Sequence, residues 1–377
     1  MNPQIEITSE SANSVTDLFT FTLSGVNVSL ANAIRRVILS DVPSIIFRTA
    51  PYEKNKATIF TNTTRLNNEI IKQRLGCIPI HIKNINGFPL KDYIMEVNVE
   101  NKTETMMFVT TKDFIFKNVV TKEKLSEEKI REIFPSNVYS NNFIDFVRLR
   151  PKLSDDLTGE KIHLTCELDI GTAKEDGMYN VVSTCSYGYT VDDVARDAVL
   201  AKKKQQWKDE GKNADEIDFE SKNWMLLDGM RVTKPNSFDF QIESVGIYSN
   251  VELVIASCEI LIARLDKIDT LIEKDELSIN NSSNTMSNSF DIILENEDYT
   301  IGKILEYFLY AKYYETKILT FCGFKMMHPH DLESIIRVAY KEPVDKAIIK
   351  GHLKECINGA KHVYAKIKKD MLRAVKD

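Results

Sequence analysis

Apolar and polar positions alternate over residues 18–24 (LFTFTLS), the period of a strand with one buried face. Gly25 and Asn27 turn the chain, and Ser29 is placed to cap a helix carrying Leu30, Ala33, Ile34, Val37 and Ile38 on one side. Pro43 ends that helix, because the residue before a proline is pushed out of helical backbone. A second short helix fits 67–75, capped by Asn67 or Asn68 and closed by Gly76. From about 92 to 185 the texture becomes short β-like runs (YIMEVNVE, TMMFVTT, FIDFVRLR, KIHLTCELDI) between lysine-rich and Gly/Asp turns, which predicts a mostly antiparallel subdomain. Residues 192–222 are densely charged and predict a solvated helix followed by a loop.

A strand returns at 237–245. Beyond it a long helix carries Val254, Cys258, Leu261, Leu265, Ile268 and Ile272 at alternating steps of four and three, a heptad-like seam. Residues 274–289, rich in Ser, Asn and charge, predict a linker. After it the first order of elements recurs in shorter form. Residues 290–294 form a strand, and Asp298 or Thr300 caps a helix with Ile301, Ile304, Leu305, Phe308 and Leu309 on one side. Strands follow at 318–324 and 334–340, and Pro343 suits the first turn of a last helix. That helix carries Leu353, Ile357, Ala360, Tyr364, Ile367 and Met371 at the same spacing as the earlier seam.

Neither seam is tolerable in water at about 25 cal/mol per Å² of apolar surface, and two like seams in one chain can cover each other. The plainer alternative, each helix packed only on its own sheet, suits a lone stripe better than two matching units. The expectation is an α+β protein in which two related halves pair within one chain, the first carrying the inserted β subdomain. Its boundaries are 1–44 with 236–273 for the first module, 45–235 for the insert, 274–289 for the linker and 290–377 for the second module. The expected pairing residues are Ile34, Val254, Cys258, Leu261, Leu265, Ile268, Gly302, Leu305, Leu353, Ile357, Tyr364 and Ile367.

Composition narrows the function. The chain has 377 residues, 49 Lys+Arg against 55 Asp+Glu and a net charge of −6, which disfavours a protein whose main task is gripping phosphate backbone. Six cysteines, with no CxxC and no Cys/His pair at zinc-ligand spacing, predict a reducing compartment and no structural zinc. The polar start (MNPQIEITSESANS) does not read as a signal peptide, and the most apolar long stretch, 251–265, contains Glu252, Glu259 and Arg264, so no membrane span is expected. There is no P-loop, G-x-S-x-G, HExxH or DxDGD-like acidic cluster, hence no expected catalytic residue, metal or cofactor. His328 and His330 flank Pro329 and read as a turn with exposed imidazoles.

Two segments are more specific than their periodicity: SLANAIRRVIL at 29–39, followed by SDVPSI, and RLNNEIIKQRLGCIPI at 65–80. They resemble the signature of the RNA polymerase α-type family, which includes bacterial α, archaeal D and the third-largest subunit of eukaryotic polymerase II. Residues 181–190 (VVSTCSYGYT) and 240–246 (FQIESVG) resemble it as well. After the linker, EDYTIGKILEYFL at 297–309 and GFKMMHP at 323–329 resemble the partner family, archaeal L and the eleventh-largest eukaryotic subunit. The chain thus looks like a natural fusion of D-like and L-like parts, an arrangement similar to that of large DNA viruses. Departures are Ala31 where the family often has Gly, Lys303 where the second-half Leu-Gly-Asn has Asn, and Cys166 and Cys185 where some relatives hold clustered Cys for a metal.

The resemblance implies a non-catalytic assembly platform of a multisubunit DNA-directed RNA polymerase that docks the two largest, catalytic subunits. Small zinc-containing subunits are further implied partners, with DNA and RNA reached only through the complex. Arg36 matches the family position that contacts the β-like catalytic subunit, and Asn32, Arg35, Arg65, Glu69, Arg74, Leu75, Gly76 and Pro79 belong to the implied large-subunit interface. Read from the residues alone, Glu69 and Arg74 are a local ion pair worth well under ~1 kcal/mol if exposed. The implied location is intracellular: host cytoplasm (virus factory) and virion if viral, otherwise nucleus. The rival reading is a free-standing regulatory or nucleic-acid-binding module using residues 351–377, which hold seven Lys/Arg against three acids. Those lysines equally suit the wet side of a packed helix.

Overall fold

The computed structural model describes residues 1–8, 18–152, 154, 158–283 and 286–374. In chain order these form β1 (Gln4–Ile7), β2 (Phe19–Ser24), α1 (Val28–Ser40), β3 (Ser44–Phe47), β4 (Ala57–Asn62) and α2 (Asn68–Gly76). Next come β5 (Tyr93–Glu100), β6 (Met107–Thr110), β7 (Ile115–Asn118), α3 (Glu127–Ile133), β8 (Asp145–Leu149) and β9 (Lys161–Gly171). β10 (Val182–Val191), α4 (Asp193–Asp209), α5 (Ala214–Leu226), β11 (Thr233–Ser244) and α6 (Asn250–Glu273) follow. The chain then runs through β12 (Ile279–Asn281), β13 (Ser289–Glu295), α7 (Tyr299–Leu309), β14 (Leu319–Lys325), β15 (Glu333–Tyr340) and α8 (Lys346–Ala374). The class is α+β, mixed helix and antiparallel sheet.

The chain divides into two compact units. One comprises Met1–Ile38, Thr184–Glu243 and Asn250–Asp377; the other comprises Leu39–Ser183 and Ser244–Ser249. The first unit holds two four-stranded sheets, ordered β1-β2-β11-β10 and β12-β13-β15-β14. In the first sheet Phe21 pairs with Phe240 across β2 and β11, and their rings stack with centroids 5.0 Å apart. In the second, Ile292 of β13 lies opposite Ile336 of β15, both fully buried. The apolar alternation of each strand therefore faces a helical layer, as a half-buried strand requires.

That layer is built by α6 and α8, which pack lengthwise on each other. Val254, Cys258, Leu261, Leu265, Ile268 and Ile272 of α6 are buried, and so are Leu353, Ile357, Ala360, Tyr364, Ile367 and Met371 of α8. At about 1.5–3 kcal/mol for each large aliphatic side chain removed from water, the seam contributes a large share of this unit's apolar burial. Burial pushes the Cys258 thiol up to about 12, so it stays protonated and serves as packing.

The second unit is the β-rich region. β3, β9, β5 and β7 lie side by side, β4 also pairs with β9, and β6 with β8 forms a separate two-stranded sheet. Its core gathers Phe47, Phe114, Phe116, Phe134 and Phe146 with Ile71 and Leu75 of α2. Arg48, only 8% exposed, crosses this unit to Asp169 at 2.5 Å, Glu175 at 2.7 Å and the Ile170 carbonyl at 2.6 Å. A buried guanidinium needs such a full set of acceptors.

Several boundaries differ from the sequence reading. The expected insert, 45–235, ends too late: β10 lies beside β11 in the first unit's sheet, where Tyr187 meets Phe238 and Phe240 at 5.3 Å. The loop expected within 192–222 is a second helix, α5, whose start is fixed by reciprocal bonds between Asn213 and Glu216. The expected linker 274–289 contains β12, anchored by buried Leu277 and Ile279 and paired with β13; its positions 284 and 285 lie outside the described residues. Asn27, not Ser29, caps α1 by accepting from the Ser29 amide at 2.9 Å. Pro343 precedes α8 rather than entering its first turn.

Candidate functional site

The structure concentrates charge where α1 and α6 meet the cap of α7. Asp298 caps that helix, its carboxylate accepting the Thr300 amide at 2.9 Å. Arg36 of α1 donates through Nε to the Thr300 hydroxyl at 2.9 Å and through Nη2 to Asp298 at 3.1 Å. Arg264 of α6 forks onto Glu297, with Nε at 3.3 and 3.1 Å from the two carboxylate oxygens and Nη2 closing the second bond. Its Nη2 also lies 3.6 Å from Asp298. The Arg264 and Glu297 side chains are 13% and 12% exposed, so the fork is largely withdrawn from water. Burial alone would raise the Asp298 carboxyl. The Thr300 hydroxyl and amide, with Arg36 and Arg264 beside it, instead bring it down to about 2. Two arginines from elements before the linker thus clamp two consecutive acids after it.

The same face continues along the helices. Lys361 reaches Asp266 at 2.7 Å and Asp269 at 3.4 Å, Lys368 reaches Glu259 at 2.7 Å, Lys354 reaches Glu273 at 3.1 Å, and Lys350 meets Asp275. Positions rise along α8 as they fall along α6, so the pair is antiparallel. Each of these exposed bridges is worth little, but the row fixes direction and register. Lysines 354, 361 and 368, read from sequence as candidate nucleic-acid contacts or the wet side of a helix, are paired with carboxylates of α6, and Lys350 with Asp275 just beyond its end. Tyr364, fully buried, directs its hydroxyl to the Leu30 carbonyl of α1 at 3.4 Å.

The other sequence candidates fall in different places. Ile34 and Leu305 are buried in the first unit. Gly302 is buried too, but a Cβ there would run into the Phe324 ring of β14, so its smallness serves packing of α7 on its own sheet. Arg35 donates to Asn32 at 2.9 Å, a contact within one turn of α1. Arg36, expected on a partner subunit, bonds to the cap of α7, which offers a hydroxyl and a carboxylate in one place, and its side chain stays 37% exposed.

Leu75 and Gly76 are buried in the second unit and unavailable to any partner. Gly76 is the last residue of α2 rather than a cap beyond it, and its hydrogen lets Met178 Sδ and Thr49 Oγ1 approach to 2.5 and 2.9 Å of where a Cβ would stand. Arg74 forms no bridge to Glu69; it donates to the Phe146 and Asp145 carbonyls at 2.7 and 2.8 Å, tying α2 to β8. Arg65 and Glu69 are exposed and line one groove with Asn67 and Asn68, while Pro79 is half-buried. Exposed Phe219 and Leu226 share a face of α5, followed by exposed Leu227 and Met230.

Sequence reasoning missed Arg264, Glu297 and their pairing. The signal was present: a lone arginine inside an apolar helix, and two adjacent acids ahead of the second short helix. Among the described residues no group of three or more His, Cys, Asp or Glu is placed to hold a metal ion, and no helix is long and apolar enough to cross a membrane. His330 donates its amide to His328 Nδ1 at 3.1 Å in an exposed turn.

What this arrangement does chemically is hold protein surfaces together, and the class it defines is an α+β protein organised around helix pairing. The chain belongs to the RNA polymerase Rpb3/Rpb11 dimerisation domain family, whose model matches residues 20–265. It is similar to the DNA-directed RNA polymerases I and III subunit rpac1 of Dictyostelium discoideum, 28% identical over 49% of this chain and 52% of that protein. It is also similar to the DNA-directed RNA polymerase II subunit rpb3 of the same organism, 25% identical over 46% of this chain and 54% of the relative. An archaeal relative, the DNA-directed RNA polymerase subunit Rpo3 of Pyrococcus horikoshii, is 33% identical over 22% of this chain and 31% of its own. The chain spans about half the length of the curated relatives it matches, and less of the archaeal one.

Proposed function

We propose that this protein is a non-catalytic assembly subunit of a multisubunit DNA-directed RNA polymerase. In this reading it is an internal pseudo-heterodimer of a D-like and an L-like part on which the two large subunits, holders of the active site, are docked. The observation that carries the reading is the α6/α8 seam with its clamp of Arg36 and Arg264 on Glu297 and Asp298, in a chain whose family is named for dimerisation. Joining the halves covalently replaces an encounter of two chains by an internal one, at an effective concentration on the order of millimolar for a short linker. The platform then presents one surface from each half, and the large subunits join in defined order. The exposed Arg65 and Glu69 groove and the apolar face of α5 support docking, since exposed apolar side chains grouped on one face mark protein contacts. Small zinc-containing subunits cover further parts. A fused D-like and L-like pair fits a large DNA virus, hence host cytoplasm and virion, with the nucleus as the location for a cellular chain.

The test is recovery of the tagged full chain from cells that contain it, with mass-spectrometric identification of what accompanies it. The two large polymerase subunits are expected in amounts close to that of the bait. The double substitution Arg65→Glu with Glu69→Arg should leave its circular dichroism unchanged and reduce that recovery at least several-fold. Elution of the wild-type chain with neither large subunit would reject the assignment.

A further inference from the structure

We infer that the charges around the α7 cap select which half can pair with which: Arg36 and Arg264 accept a helix capped by acids and refuse a second copy of this chain's own first half. The inference rests on the paired-halves reading above and goes beyond it, because a seam explains attraction but not choice. The two seams have the same spacing and are both apolar, so either could close on a copy of itself.

The choice is visible in the two caps. Asn27 follows β2 and opens α1; Asp298 follows β13 and opens α7. Each accepts, through its side chain, the amide two residues ahead at 2.9 Å. Each also offers its backbone carbonyl to the residue four ahead, Ala31 at 3.2 Å and Gly302 at 3.0 Å. A neutral amide therefore completes this cap as well as a carboxylate does, and capping does not explain the charge at Asp298. The preceding positions differ in the same sense, buried Val26 in the first half and Glu297 in the second.

Pairing two first halves would bring Arg36 and Arg264 against Val26 and Asn27, with no carboxylate to receive them. Pairing two second halves would leave Glu297 and Asp298 without an arginine, since the α7 position as far from its cap as Arg36 is from Asn27 is Tyr307. A largely buried charge without its counter-charge is strongly unfavourable, so both self-pairings are disfavoured while the mixed pairing satisfies every group.

Two full-length variants test this. One carries Arg36→Glu with Arg264→Glu; the other carries Glu297→Arg with Asp298→Asn, which keeps a capping side chain. Each alone sets like charges face to face and should lose hydrogen-exchange protection in α6 and α8. Refolded together, they should exchange halves into a one-to-one species in native mass spectrometry, in excess over either self-dimer by on the order of a hundredfold. All four substitutions in one chain should restore a protected monomer. Self-dimers and mixed dimers in statistical proportion, wild-type protection in either variant alone, or no rescue by mixing or by the fourfold exchange would overturn the inference. Leu261→Asp separates this from the underlying reading. If it leaves α6 and α8 protected, pairing itself is wrong; if it abolishes protection while the charge variants do not, only the selectivity fails.

Discussion

Replacing Arg264 by methionine keeps much of the side-chain volume and removes the fork on Glu297. The carboxylate stays where it is, 12% exposed and stripped of its bidentate partner. Removing one member of a buried pair costs about 3–5 kcal/mol, because the other charge remains desolvated. Asp298 keeps Arg36 at 3.1 Å and the site is not fully sealed, which places this substitution near the lower end, about 3 kcal/mol. The chain has two compact units, so a single unfolding midpoint would mix two transitions. Hydrogen exchange of amides in α6, α7 and α8 reads the relevant opening directly, and about 3 kcal/mol is more than a hundredfold loss of protection. Arg264→Met combined with Glu297→Gln should recover most of it, giving a coupling of about 1–3 kcal/mol in the double-mutant cycle. A single substitution costing under ~1 kcal/mol, or a double as damaging as the sum of its parts, would refute the argument that this fork is a desolvated anchor.

Three further outcomes follow from the same geometry. Asp298 has a carboxyl held at about 2 in the folded protein against an ordinary 3.8, so its contribution is full above about pH 4 and is lost as pH falls toward 2. It amounts to at most about 2 kcal/mol, less the part screened by water, and Asp298→Asn should flatten that portion of a pH titration of α7 protection. Leu261→Ala and Ile357→Ala, each at a fully buried seam position, should lower protection of both α6 and α8 by about 2–5 kcal/mol, whichever helix carries the change. Arg48→Met removes the arginine from Glu175 and leaves Asp169 with Lys56 at 3.4 Å, and should destabilise the β-rich unit by about 1–3 kcal/mol, as read by exchange in β3 and β9, while leaving α6 and α8 unaffected.

Much of the fold was legible because burial imposes a period. The alternation of 18–24 and 237–245 and the four-three steps of both long helices each correspond to an element with its apolar side covered. What escaped had little period to offer. β1 has four residues and no fully buried side chain, and β12 has three with only Ile279 buried. α5 is so acidic that it reads as solvated coil, although Asn213 and Glu216 at capping-box spacing were a usable signal. The boundary of the β-rich unit was hidden because a strand's residues do not say which sheet receives it.

The candidate site was half legible for a similar reason. Stripes announce which face is covered, whereas an ion pair between α6 and the α7 cap joins residues whose meeting is decided by packing. Arg36 stood out in sequence as one of two adjacent arginines, and its resemblance to an intersubunit contact pointed outward. In the structure it also bonds the cap of α7, where the Thr300 hydroxyl and Asp298 carboxylate stand together, a contact no stripe announces.

The most direct measurement inserts a protease site after Ser283, cleaves the folded chain and passes it over a sizing column at micromolar concentration without denaturant. Two pieces eluting as one species at the volume of the intact chain, and separating only in denaturant, is the result predicted for halves joined through α6 and α8. Separate elution of the two pieces under native conditions would contradict it.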